Sequence, residues 1–426
     1  MACAPAGSAH VNPVPRRAHG IAALRARIDS LVGTPAFRTA EWAILAVNPE
    51  RGDTLYAHNP ALLMVPASNM KIITSSVALT QLGPDFQFTT TFSAHGTIVN
   101  GVLNGDLVVT GRGDPTLSDH MRGSARAAMD TLADSIMAHG VHAITGHIYS
   151  GADNFPGPPV GEGWDWDDLS TSDGAGVDEL LFNEGMSRIV VRGQNGDSVV
   201  QSAPATDPTQ DYLNELNLAL QTRGVRTGLG VGENIVPRDG ISLDTILVVR
   251  SVPLRAILPY FLKPSQNQMG EVLMRTIGLE RTRVGTADSG IAVTSRQLAT
   301  WGVPRDGYEL HDGSGMARAD LISPETIVRI LDRMRTSPDF LVFYNALPIA
   351  AVDGTISRRM RGTPAANNAH AKTGSLHWVR SLSGYVTDAD GERLIFSVLA
   401  NKWTTPPSAV TTTADSIAAA LASYRR

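Results

Sequence analysis

The sequence predicts an α/β (α+β) fold in which one domain is split by a long β-rich insert. Three observations carry this reading. Segments of helical period stand near both ends of the chain. Three consecutive strand-like runs precede the last helix. Between them, short β-like runs alternate with Gly, Asn and Asp. The length of 426 residues exceeds one ordinary domain. With 42% apolar and 18% charged residues, the chain can bury a sizeable core.

Residues 1–19 read as a disordered leader without the apolar stretch of a signal peptide. Either an export segment has already been removed, or the protein stays inside. Cys3, the one cysteine, follows Ala2; a lipidation remnant is one reading, and a free thiol on a disordered end is the preferred one. Ile21, Leu24, Ile28 and Leu31 share a face and predict a helix over 21–31. Residues 42–47 and 54–58 predict strands around a turn at 48–53. A helix follows Ser68 and stops at Gly83-Pro84.

The texture changes over 86–251. Strands are expected at 89–94, 105–110, 146–150, 188–192 and 245–250, with helices near 124–138 and 211–222. Residues 155–176, rich in Pro, Gly, Trp and Asp, predict a long ordered loop. Helices resume at 254–263 and after the turn 264–267. Strands are expected at 371–376, 379–387 and 393–400, with Asp388-Ala389-Asp390-Gly391 closing a hairpin, and 409–424 is the last helix. The division is therefore 20–85 and 252–426 for the split domain, with 86–251 as the insert, in two small subdomains.

Charge and composition exclude several classes. The net charge is −5 with no basic stripe, so no nucleic-acid partner is expected. No apolar run is long enough to cross a membrane. One cysteine permits no disulfide framework, and no histidine pair has metal spacing, so no metal or cofactor is expected. Arg112-Gly113-Asp114 reads as a turn, and Asp165, Asp167 and Asp168 as a solvated loop.

Three short motifs carry chemistry. In Ser68-x-x-Lys71, residues three apart share a helix face, which sets the lysine amine beside the hydroxyl. A neutral Lys71 would take that proton and make Ser68 a nucleophile. Desolvation and neighbouring cations would supply the lowered pKa. The helix start also aims backbone N–H groups at developing negative charge. In Ser265-x-Asn267, a hydroxyl and an amide on one turn face one cleft, the first to pass a proton, the second to hold a peptide group. In Lys372-Thr373-Gly374-Ser375, a cation and hydroxyls on a strand suit a carboxylate. Gly374 leaves room for a chain alongside, and the N–H of Ser375 would pair with that of Ser68 as an oxyanion hole. Alone, each motif has a structural explanation: a helix cap with a surface lysine, a capping serine, an exposed strand with a turn glycine. Together, each sits on the element its chemistry needs.

This ordered set, S-x-x-K, S-x-N and K-T-G, resembles that of penicillin-binding proteins and β-lactamases. PASNMKIITSSVALTQLGPDFQFTT, LNGDLVVTGRGDPTLS, GWDWDDL, KPSQNQMGEVLMRTIG, HDGSGMAR, LPIAAVDGTISRRMRGTPAANNAHAKTG and FSVLAN follow one another. Over roughly 20–425 the chain is similar to the low-molecular-mass class C penicillin-binding proteins, the D-Ala-D-Ala carboxypeptidase/endopeptidases.

That resemblance implies a penicillin-binding-protein/β-lactamase-like catalytic domain and a periplasmic or other extracytoplasmic place. It implies peptidoglycan stem peptides as substrate and β-lactams as inhibitors. Ser68 is implied as nucleophile, Lys71 as base, Ser265 as proton relay and Asn267 as amide holder. Lys372 and Thr373 are implied to bind the terminal carboxylate. Ser314, Arg318, Trp164 and Asp167 are implied to line a pocket for a diaminopimelate side chain. The stretch STSDGAG lacks the family's tyrosine, DGSGMAR departs from DGSGLSR, and the segment after LLFNE is short. Two other functions stay open. One is a β-lactamase or esterase, for which no acid is placed by sequence to activate a deacylating water. The other is a non-catalytic wall-binding protein, for which five intact catalytic-type residues are superfluous.

Overall fold

The architecture is set by how alternate residues of one sheet feed two cores. The computed structural model describes residues 20–192, 198–232 and 242–426. The leader and Cys3 lie outside the described residues. Five antiparallel strands run in the order His370–Leu376, Val379–Thr387, Arg393–Asn401, Glu41–Asn48, Asp53–His58. Strand side chains alternate between faces. Ala43, Leu45, Ile395 and Leu399 therefore enter one core, and Trp42, Ile44, Ala46, Leu394, Phe396 and Val398 the other.

The first core is closed by helices Met70–Leu82, Leu254–Leu262, Asn267–Thr282 and Pro324–Arg335. The second is closed by the terminal helices Ile21–Val32 and Pro407–Ala422, which pack against each other. The result is three layers, helix on sheet on helix, assembled from both ends of the chain.

A second sheet lies between these halves. Its path is Gly230–Val231, His147–Ser150, Val102–Thr110, Thr89–Val99 and Asp244–Arg250, with Ala143–Ile144 and Arg226–Thr227 beside it. Helices Ala125–Ala138 and Pro208–Thr222 cover one face around Phe92, Leu107, Ile148, Leu216 and Leu220. Both helices open on side-chain caps, Ser124 on Ala127 and Asp207 on Gln210. After LLFNE, strands Met186–Arg192 and Ser198–Pro204 pair antiparallel. In the RGD tripeptide, Arg112 pairs with Glu280 at 2.5 Å, and Gly113, at φ +83°, packs on Phe155. Among the described residues, no helix is long and apolar enough to cross a membrane.

The edge of the five-stranded sheet matters for function. His370–Leu376 is the outermost strand; Ile349 bridges it at His370, and beyond that no further strand among the described residues covers its outer side. That edge faces the start of helix Met70–Leu82. Ser381 Oγ donates to Pro66 O at 2.8 Å, and Asn69 Nδ2 donates to Lys372 O at 3.0 Å. Gly374 is required by this approach: a Cβ there would stand 2.6 Å from Pro66 O and 3.0 Å from Ser68 N.

Candidate active site

Ser68 is the middle residue of a 3₁₀ turn, Ala67–Asn69, that opens into helix Met70–Leu82. Ala67 has φ +48°, a conformation that non-glycine residues hold only when the surrounding structure enforces it. Ser265 is likewise left-handed, at φ +70°, at the turn before helix Asn267–Thr282.

Lys71 is fully buried and makes three contacts: Ser68 Oγ at 2.8 Å, Asn267 Oδ1 at 2.7 Å and Ser314 O at 2.7 Å. Burial lowers its pKa to about 7 against the attraction of Asp312, Glu271 and Asp173. The geometry specifies the neutral form's role. An amine has two N–H groups and one lone pair. Asn267 and Ser314 offer only acceptors, so they take the two N–H groups, and the lone pair is left facing the Ser68 hydroxyl.

A second lysine–serine pair stands across the cleft. Lys372 Nζ lies 2.8 Å from Ser265 Oγ and 2.9 Å from Thr373 O. Lys372 is also fully buried; burial first and the charge of Lys71 second hold its pKa well below the ordinary lysine value. The lysine therefore lies behind the cleft wall. The wall itself presents hydroxyls: Thr373 Oγ1 donates to Thr355 Oγ1 at 2.8 Å, and Ser375 is exposed. The cleft, of about 240 Å³, is lined by Ser68, Ser265, Asn267, Thr373, Gly374 and Ser375. Asp168, Asp173 and Thr355 also reach it. Local sequence patterns give no signal for Asp173 and Thr355, and for Asp168 they predict only part of a solvated loop.

The four residues expected around a side-chain pocket are not brought together there. Ser314 is fully buried, its hydroxyl on Asp312 at 3.2 Å; only its carbonyl serves the site, on Lys71. Trp164 donates its indole N–H to Asp312 Oδ2 at 3.0 Å and lines no cleft wall. Arg318 pairs with Asp165, at 2.7 Å, and not with Asp167. Asp167 is exposed and precedes the 3₁₀ turn Asp168–Ser170. One residue explains the inward turn of Ser314 and Trp164. The Asp312 carboxylate also accepts from the N–H groups of Ser314, Gly315 and Ala317. A buried carboxylate must be satisfied this way, and its demand shapes the loop that offers the Ser314 carbonyl to Lys71.

Comparisons with known proteins bear on this geometry. A model of the D-Ala-D-Ala carboxypeptidase 3 (S13) family matches residues 24–206 and 183–424. The chain is 29% identical, over 466 aligned positions, to a D-alanyl-D-alanine carboxypeptidase of Actinomadura sp. (strain R39), covering 94% of this chain and 85% of that protein. The fold is similar to that of penicillin-binding protein 4 from Haemophilus influenzae. The TM-score there is 0.82 at 23% identity, over 93% of this chain and 99% of that one. A more distant likeness, with TM-score 0.51 at 16% identity, is to the peptidoglycan endopeptidase Bd3459 of Bdellovibrio bacteriovorus, over 84% of this chain and 85% of that one. The chain belongs to the D-Ala-D-Ala carboxypeptidase 3 (S13) family and is a serine-type D-Ala-D-Ala carboxypeptidase.

Proposed function

We propose that the chain trims peptidoglycan stem peptides through an acyl-enzyme on Ser68, as carboxypeptidase and endopeptidase, and that β-lactams acylate the same hydroxyl. The observation that carries this is the triple contact of Lys71 with Ser68, Asn267 and Ser314. Lys71 takes the Ser68 proton as Oγ attacks the carbonyl carbon of the penultimate D-Ala. The N–H groups of Ser68 and Ser375 receive the oxyanion. Ser265, held by Lys372, relays to the departing amine the proton that Lys71 took, as the C–N bond breaks. Water then cleaves the ester, and Ser68 regains its proton. Asn267 holds the substrate amide. Thr373, with the field of Lys372 behind it, meets the terminal carboxylate.

Residues 20–85 and 252–426 form the catalytic unit in this reading, and 86–251 the insert. Its substrate places the protein outside the cytoplasm. Beside the cleft, Arg318 and Asp165 supply a cation and an anion for a diaminopimelate zwitterion.

The test is intact mass after incubation with penicillin, together with release of D-Ala from a D-Ala-D-Ala peptide. One adduct on the parent protein and D-Ala release are expected. An adduct that persists on Ser68→Ala, or a parent that releases no D-Ala, overturns the reading. Sustained turnover of nitrocefin would instead favour a β-lactamase.

A further inference from the structure

We infer that Glu271 is a positioning residue for the base: it stands behind Lys71 as an un-ionised acid, gripping the loop that feeds Lys71 without adding a negative charge beside it. This rests on the acyl-enzyme reading and deepens it.

Glu271 lies four residues after Asn267 on helix Asn267–Thr282, so both side chains leave the same face. Asn267 reaches Lys71 at the cleft, and Glu271 is buried behind it, only 1% exposed. Its Oε1 accepts from Gly313 N at 3.1 Å, and Thr74 Oγ1 donates to Gly313 O at 2.7 Å. Gly313 is thus held at both its N–H and its C=O. The next carbonyl, that of Ser314, is the one that accepts from Lys71. The helix and the loop meet backbone to backbone here: a Cβ on Gly270 would stand 2.8 Å from Gly313 O.

Which carboxyl of this buried group carries charge follows from its donors. Asp312 accepts from the N–H groups of Ser314, Gly315, Ala317 and Trp164 and from the Ser314 hydroxyl. Such a set stabilises a buried carboxylate. Glu271 has one backbone donor, and its Oε2 is buried without a partner among the described residues. Asp320 is alike: Oδ1 accepts from His311 N at 2.6 Å, and Oδ2 has no partner among the described residues. A charge on either would be poorly satisfied in the interior and close to the charge of Asp312.

The charged groups facing Glu271 are Asp312 and Asp320 on the loop, Lys71 on helix Met70–Leu82, and Arg275 one turn on along its own helix. Arg275 is spent elsewhere, its Nη2 on Pro158 O at 2.6 Å, and no ion pair joins it to Glu271 among the described residues. Burial, and then Asp312, push the Glu271 carboxyl up to about 8, against the Ser314 hydroxyl, Arg275 and the Gly313 N–H. An un-ionised Glu271 leaves Asp312 as the main anion drawing on Lys71, so the amine loses its proton near neutral pH.

The experiment follows penicillin acylation of the full chain against pH, read by intact mass. Glu271→Gln keeps an acceptor for Gly313 and removes only the acidic proton. The midpoint of its profile should stay within about half a unit of the parent's. Were Glu271 ionised, the same change would take a negative charge from beside Lys71, and the midpoint would fall by about one unit or more. That fall overturns the inference. Glu271→Ala gives up the grip on Gly313 and should acylate about tenfold more slowly at saturating penicillin, and Glu271→Gln should recover most of that loss. An alanine variant as fast as the parent overturns the positioning role. Infrared difference spectra at neutral pH, parent minus Glu271→Gln, should show the carbonyl stretch of an un-ionised carboxyl; a carboxylate stretch in its place counts against it. Should Glu271→Ala not fold, the glutamine profile and the infrared difference decide the matter. A parent that penicillin does not acylate fails the acyl-enzyme reading itself.

Discussion

Lys372 Nζ lies 2.8 Å from Ser265 Oγ, at the same distance as Lys71 Nζ from Ser68 Oγ. Two buried lysine–serine pairs thus flank one cleft, and each lysine lowers its pKa mainly by losing water. In the proposed mechanism the first pair makes the nucleophile, and the second prepares the proton donor and the carboxylate end.

Replacing Ser68 by Ala should remove the penicillin adduct and reduce peptide turnover by roughly 10⁴-fold or more, because such groups act as a unit. Adduct mass and D-Ala release read both effects. Residual stoichiometric acylation would assign the nucleophile elsewhere.

The pH profile follows from Lys71. Burial disfavours its ammonium, so the folded pKa, about 7, lies below the ordinary 10.5. The neutral base therefore accumulates as pH rises through about 7, and the rate of penicillin acylation should climb there to a plateau. Between these values the unfolded chain binds more protons than the folded one, so the Lys71 contribution to stability rises with pH over this window. Lys71→Met should remove that part of the slope in denaturant melts. A flat acylation profile across pH 6–8 would contradict the base assignment.

Lys372→Ala should slow turnover of a D-Ala-D-Ala peptide about ten- to a hundredfold, the worth of one charge-assisted contact of about 1.5–3 kcal/mol. Because Lys372 and Ser265 touch, the double variant with Ser265→Ala should lose less than the sum of the two. Strict additivity, or unchanged kinetics on the free-carboxylate peptide, would refute the pairing.

Asp312→Asn should lower stability by about 2–4 kcal/mol, since an amide nitrogen would replace an acceptor among converging N–H groups. The same change should slow acylation by loosening the Ser314 carbonyl on Lys71. A melting temperature equal to that of the parent would show that the loop holds without this carboxylate.

The pair Arg318–Asp165 gives the sharpest contrast with the sequence reading. Asp165→Asn and Arg318→Ala should each erase any preference for a free diaminopimelate-like end over an acetylated one, and Asp167→Asn should leave it. The reverse outcome for the two aspartates would restore Asp167 to the pocket. Selectivity ratios, not absolute rates, decide this, so modest folding losses do not blur the result.

By itself the sequence determined the elements and the chemical parts. Periods of 3.6 and 2 are written in neighbouring residues, so the helix after Ser68 and the strand at Lys372 were legible locally. The spacing of Ser68 from Lys71 puts both on one helix face wherever that helix goes. Only the tertiary structure decided what those parts touch. Asn267 and Ser314 reach Lys71 from distant segments, and Lys372 reaches Ser265 from another. Asp165 and Asp167 are equivalent in the string GWDWDDL. A loop's side-chain directions follow from what packs against it, not from a period. Here one buried carboxylate, Asp312, accepts from Ser314 and Trp164 and holds both inward, away from the cleft.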